Sequence, residues 1–247
     1  MRRIGCFSVF FALLCGIVSA APLPSNANEL LRRSDQARGG GLPGLVWLVD
    51  LKNFGDDADV QTDMRLRVEA IESASLAIVE SPPKNKGWVM LQVERNMWLS
   101  KPELKKPVPV SPRQRLSGQV AIGDIAATNY ARDYEARYVR TETFGGIPCQ
   151  VLDLRAKTRS ATYDHIRYWI SEEQGLAVRA EYISLLDKVL KTATFAYGHR
   201  IDGPKGAILF ISRMEVTDAL SGARTTLDYR SVHIRSIPRG RFDPDSL

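Results

Sequence analysis

Side chains able to do acid–base, nucleophilic or metal chemistry are few in this chain, and their spacing does not suit it. His165, His199 and His233 stand far apart, and none belongs to a His-x-x-x-His pair or a Cys/His cluster. The sequence therefore shows no zinc spacing. Cys149, between Pro148 and Gln150 at a strand start, has no His and Asn arrangement beside it. It reads as a small buried hydrophobe rather than a nucleophile. A Gly-x-Ser-x-Gly elbow is absent, and Gly39-Gly40-Gly41 is not followed by the Lys-Ser/Thr of a phosphate loop. Asp124 and Asp133 could pair for acid–base work, but each equally suits a helix start, where the dipole favours acids. The chain reads as a non-enzyme with no metal and no cofactor.

What the sequence repeats instead is alternation. In Met64–Ala70, Met64, Leu66, Val68 and Ala70 share one face and the charges share the other. The same reading makes strands of Leu45–Val49, Leu76–Glu80, Val89–Glu94, Gln150–Lys157, His165–Ser171, Leu176–Leu185, Val189–Tyr197, Ala207–Val216 and Arg224–Ile234. Glu172-Glu173-Gln174-Gly175 and Asp218–Gly222 read as hairpin turns. Helical signals are confined to Glu29–Arg38, ended by the three glycines, and to Asp124–Arg137. Ten or eleven successive antiparallel strands without βαβ alternation exclude a parallel α/β sheet. One apolar face per strand suits a single curved sheet with a concave apolar side. A sheet that bends without closing needs a cover, and the two helical segments are the candidates. The expected cavity wall is Leu66, Val68, Leu76, Ile78, Val89, Leu91, Val93, Ile166, Tyr168, Ile170, Leu176, Val178, Tyr182, Leu209 and Ile211. The expected lid is Ile122, Ile125, Tyr130 and Tyr134. Trp88 and Trp98 fall on the opposite parity to Val89 and Leu91, which suggests an outer face or a rim; a bulge near Asn96 would reverse this for Trp98.

The stretch from Asn85 to Asp124 carries a more particular pattern. Gly87-Trp88 and Met97-Trp98 with Pro102 lead through a basic, proline-studded crossing to Ser117-Gly118, Gly123-Asp124-Ile125 and Asp133-Tyr134. Ile147–Leu154, Tyr168-Trp169-Ile170, Arg179–Tyr182 and Phe242…Leu247 follow in order. The pattern, over roughly Met64 to Leu247, resembles the outer-membrane lipoprotein-sorting family, the periplasmic carriers related to LolA and LolB. Ala126-Ala127-Thr128 depart from it where Ser, Tyr and Glu are usual. The resemblance implies an open, incomplete barrel, mainly β (α+β), with short lid helices over an apolar cavity. It also implies a carrier that shuttles lipid or lipoprotein acyl chains toward the outer membrane, with lipid or acylated lipoprotein as cargo, and an inner-membrane exporter and an outer-membrane acceptor as partners. A lipid-sensing or protein-interaction module of the cell envelope with the same fold is the alternative.

The N-terminus agrees with such a compartment. Met1-Arg2-Arg3 precedes an uncharged run from Ile4 to Ala20, and Val18-Ser19-Ala20 is a small-x-small exit. This describes a secretory signal peptide over residues 1–20 and a periplasmic product. Retention as an uncleaved anchor and lipidation at Cys15 stand beside it, the latter opposed by the large Leu14. Residues 21–44 read as a leader with one short helix, and 45–247 as a single lipid-binding domain. Cleavage would remove Cys6 and Cys15, leaving Cys149 alone, so no internal disulfide could form. Losing Arg2 and Arg3 takes 34 Lys+Arg to 32 against 28 acids, a net charge of +4 in place of +6. That is no nucleic-acid footprint. Basic clusters at Lys84/Lys86, Lys101/Lys105/Lys106 and Arg113/Arg115 read as solvated loops, with anionic headgroups or an acidic partner as the alternative. A monomer is expected.

Overall fold

The computed structural model of the chain describes residues 26–54, 60–126, 129–203 and 206–247. The expected signal peptide and most of the Ala126–Thr128 departure lie outside them. Asn26 caps the first helix, accepting from the Asn28 backbone N–H at 2.9 Å. α1 (Ala27–Gln36) buries Leu30, Leu31, Ser34 and Asp35 and gives way to Gly39 at φ 96°, a left-handed turn that suits glycine. A first meander follows: β1 (Leu45–Phe54), β2 (Val60–Ile71), β3 (Ala74–Ser81), β4 (Val89–Val93), β5 (Asn96–Ser100) and β6 (Val108–Pro109). A small ribbon, β7 (Arg115–Ser117) and β8 (Val120–Ala121), leads into α2 (Ile122–Ala126) and α3 (Tyr130–Asp133). The second meander is β9 (Tyr134–Phe144), β10 (Ile147–Ala156), β11 (His165–Ser171), β12 (Ala177–Ile183), β13 (Val189–Gly203), β14 (Gly206–Asp218) and β15 (Arg224–Ile234).

β1 pairs with β15, so the two meanders join into one antiparallel sheet of 13 strands with β6 and β9 at its edges. Leu51 faces Met64 on one side and Leu227 on the other. The sheet curls strongly. α2 touches β3 and β4, while its Asp124 reaches Lys191 of β13. Four strands lie between β3 and β13 in the sheet order. In a flat sheet that is roughly 24 Å, against about 7 Å for a five-residue helix. Only a curled sheet brings both to the same helix. Its inner face, α1, α2 and α3 share one large buried cluster. No helix among the described residues is long and apolar enough to cross a membrane.

The outer face corrects part of the sequence reading. Leu76, Ile78, Val89, Leu91 and Val93 do share a face, but it is the outer one. They pack beneath the C-terminal tail, where Ile237, Phe242 and Leu247 cover them. Ala77, Val79 and Met90 take the inner positions. Trp98 is the cross-strand partner of Leu91, because Glu94 and Arg95 make a tight turn between Val93 and Asn96. It therefore joins the outer cluster, whereas Trp88 packs on the inner one with the Lys101 ammonium 3.9 Å from its ring centroid. Val178 belongs to a second outer patch with Cys149 and Trp169. Leu209, beside the buried Phe210, is 39% exposed. The helical reading of Asp124–Arg137 ends early: from Tyr134 the chain is the edge strand β9.

Phe242 is 4% exposed and holds the tail on Leu76 and Leu91. Phe242→Ala is expected to cost about 3 kcal/mol in urea unfolding. A loss below about 1 kcal/mol would show that the tail is not part of the folded unit.

Candidate functional site

The inner face gathers Leu66, Val68, Ile166, Tyr168, Ile170, Tyr182 and Ile211 of the expected wall into one buried cluster with all four expected lid residues, Ile122, Ile125, Tyr130 and Tyr134. Leu176 is buried beside Ala37 at the end of α1. The space between sheet and helices is filled by side chains of the chain itself. Tyr130 enters from α3 and meets the rings of Tyr134 and Tyr168 edge to face at 5.3 and 5.7 Å. Its hydroxyl lies 3.4 Å from that of Tyr182.

At the centre sits a residue that the sequence did not single out. Arg38 follows α1 and is 2% exposed. Its guanidinium carbon stands 4.6 Å from the Tyr130 ring centroid and 5.2 Å from that of Phe195, and its Nη1 donates to the Tyr168 hydroxyl at 3.4 Å. Among the described residues no carboxylate lies within ion-pair distance, and Nε has no hydrogen-bond partner. A cation is thus buried on aromatic faces rather than on a counter-ion, an arrangement whose net worth is small once desolvation is set against it. Burial holds the Tyr182 hydroxyl well above its ordinary pKa and pushes Tyr229 up to about 12, so these phenols stay neutral donors.

Two carboxylates fix the helices. Asp35, 1% exposed, accepts from the Ala131 backbone N–H at 2.7 Å and so ties α1 to α3; its other oxygen is unpartnered. Desolvation pushes this carboxyl up to about 7, partly offset by the Ala131 bond and the Arg38 charge. Asp124, 2% exposed, accepts from the Ala121 N–H at 2.8 Å, from the Tyr163 hydroxyl at 2.7 Å and from Lys191 Nζ at 3.3 Å. It pins α2 to the far wall of the sheet. Two cavities flank the helices: one of about 290 Å³ lined by Arg113, Arg115, Tyr163 and Lys191, and one of about 450 Å³ lined by Arg32, Asp35, Asn129 and Arg132.

The catalytic candidates are not assembled into a site. Asp124 and Asp133 have separate partners, the latter Arg132 at 3.0 Å. His165 bonds Asp153, and His199 Nε2 meets the Tyr229 carbonyl at 2.7 Å. Burial raises the Cys149 thiol pKa, which disfavours the thiolate. No cluster of three metal-ligating side chains occurs among the described residues.

Asp35 has a raised pKa when folded, so the folded chain binds its proton more tightly than the unfolded chain does. Stability should fall as pH rises from about 4 toward about 7 and then level off. Urea unfolding at pH 5 and pH 8 should show this loss in the natural chain and little of it in Asp35→Asn. Equal pH dependence in both would remove Asp35 as its source.

The profile of a family described as uncharacterized proteins matches residues 72–247. Among solved structures, a LolA superfamily protein from Nitrosomonas europaea is 28% identical with a TM-score of 0.81, over 91% of this chain and 100% of that one. An outer-membrane lipoprotein-sorting domain from Vibrio parahaemolyticus has a TM-score of 0.74 at 17% identity, over 89% of this chain and 97% of that one. A protein of an unassigned-function family from Desulfovibrio piger has a TM-score of 0.75 at 18% identity, over 90% and 97%. At those identities the last two show the fold alone. No curated protein matches by sequence. The large curled sheet and its short covering helices are thus the LolA-like fold, and the chain belongs to the family whose profile spans its residues 72–247.

Proposed function

We propose that the chain is a periplasmic carrier that binds lipid, or the acyl chains of a lipoprotein, against the inner face of its sheet and moves them toward the outer membrane. One observation carries this reading. The inner face is covered by three short helices that are held through a handful of directional polar contacts, while the sheet beneath is continuous. Each methylene withdrawn from water stabilises a bound chain by roughly 0.8 kcal/mol. A long acyl chain on the Leu66–Val68 and Ile166–Ile170 surface therefore offsets both what the lid gives up in polar contacts, about 1 kcal/mol each, and the burial of the side chains it displaces. Tyr130, Ile122 and Ile125 are the side chains that cargo would replace. The likeness to the Nitrosomonas protein supports the carrier reading, as does the leader sequence.

Direct binding is measurable. The chain should take up a fluorescent fatty-acid probe, and native extraction followed by lipid mass spectrometry should find an amphiphile bound. Tyr130→Ala removes the ring that fills the space. It should lower folding stability by about 3 kcal/mol and tighten probe binding several-fold, because closure competes less with the ligand. No probe uptake by either protein, and no amphiphile in the extract, would count decisively against a carrier.

A further inference from the structure

The two leucine-bearing hairpin tips of the second meander point to a membrane-docking edge. β12 and β13 are joined by Ser184–Lys188, and β14 and β15 by Ala219–Ala223. In these turns Leu185, Leu186 and Leu220 are 81%, 80% and 98% exposed. Turns ordinarily carry Gly, Asn, Asp and Ser at such positions. The tips are neighbours: Ile183 pairs with Val189, Lys191 pairs with Asp218, and the Ala219 N–H donates to the Leu190 carbonyl at 3.0 Å. Leu190, 48% exposed, continues the apolar edge down one side.

Charge distinguishes this end of the sheet. Strand direction sends two of the basic clusters out at the same end, β3 toward Lys84 and Lys86 and β5 toward Lys101, and the third, Arg113 and Arg115, lies beside Ile183 and Asp218 at the base of the tips. Exposed Lys188 lies within the first tip. Of the acids here, Asp164 is engaged by Arg113 at 2.6 Å and Asp218 by the Ser221 N–H at 2.8 Å, while Asp187, beside Lys188 in the first tip, is exposed and 3.9 Å from His165 Nδ1. The cavity lined by Arg113, Arg115, Lys191 and Leu190 opens at this edge.

We infer that this edge docks on the surface of an anionic lipid bilayer, with Leu185, Leu186 and Leu220 entering the headgroup–acyl boundary and the surrounding lysines and arginines meeting lipid phosphates. Protruding leucines on separate tips, 80–98% exposed, match a fluid interface, which closes around single side chains. A protein partner needs a continuous complementary patch of roughly 800 Å² on each side. Apolar insertion and basic attraction each bind weakly and together bind measurably. This holds whether or not the chain carries a cargo.

The test is flotation of the purified chain with vesicles of phosphatidylethanolamine and phosphatidylglycerol, beside vesicles of phosphatidylcholine alone. The chain should float with the anionic vesicles and much less with the neutral ones, and Leu186→Trp should shift its emission to the blue on binding. Replacing Leu185, Leu186 and Leu220 together by Ser should weaken binding more than about tenfold. The same variant should keep the melting temperature and the fatty-acid probe uptake of the natural chain, because these side chains pack on nothing. Lys188→Glu should weaken binding several-fold and flatten its salt dependence. An absence of flotation, or flotation unchanged in the triple variant, overturns the inference. Retention of one stoichiometric envelope protein without vesicle binding, lost in the triple variant, overturns it in favour of a protein partner.

Discussion

A single large curled sheet whose apolar inner face has no other large sheet to press against it, among the described residues, is the constraint from which the rest follows. Thirteen strands expose a large inner surface, and β6 and β9 remain unpaired as edges, so closure into a barrel does not shield it. Three helices of ten, five and four residues must do so. Helices this short bring little apolar area of their own, so their hold on the sheet depends on placed polar groups. Asp35 joins α1 to α3, Asp124 joins α2 to Tyr163 and Lys191, and Arg38 meets Tyr130, Phe195 and Tyr168.

On the proposed carrier reading, this division of labour separates what stays from what moves. Apolar burial is non-directional and cumulative, and it fixes the sheet and the outer face, where Phe242 seals the tail onto Leu76 and Leu91. Polar contacts are few, depend on geometry, and are recovered in part by water when broken. A buried guanidinium without a carboxylate, and a carboxyl poised to hold its proton near neutral pH, lower the stability of the closed arrangement relative to an all-apolar plug. The proposed carrier role asks this of a closed form: stable enough to hide the inner face and weak enough to yield to a ligand with a long hydrocarbon chain.

Much of this was legible in the sequence, because alternation survives wherever one face is buried. Leu66 and Val68 share a face, as do Val89, Leu91 and Val93. Which face turns inward was not legible for β3 and β4, since both of their faces are covered and the cover on the outer side comes from residues 237–247, far along the chain. Trp98 does lie on the outer face, but on the same side as Leu91 rather than the opposite one: a two-residue turn restores cross-strand pairing with Leu91, which a parity count along the chain misses. The start of β9, Tyr134–Arg137, read as helix because the edge strand it opens is buried only at Tyr134 and Ala136, with Glu135 and Arg137 exposed between and beside them. Arg38 gave no local signal. An arginine just beyond a polar ten-residue helix usually points to water, and only the three-dimensional meeting of the end of α1 with β11 and β13 shows otherwise.

Hydrogen exchange of the amides that bond the helices' polar side chains reports on the lid most directly. The N–H groups of Ala121, Ala131 and Arg132 bond to Asp124, Asp35 and Asn129, and they should exchange through local opening well below the free energy that protects the sheet amides of β1 and β2. Adding a long-chain fatty acid should change their exchange and leave β1 and β2 unaltered. If those three amides exchange only on global unfolding, and the fatty acid leaves them untouched, the helices are a fixed part of the core and the account of a displaceable cover is wrong.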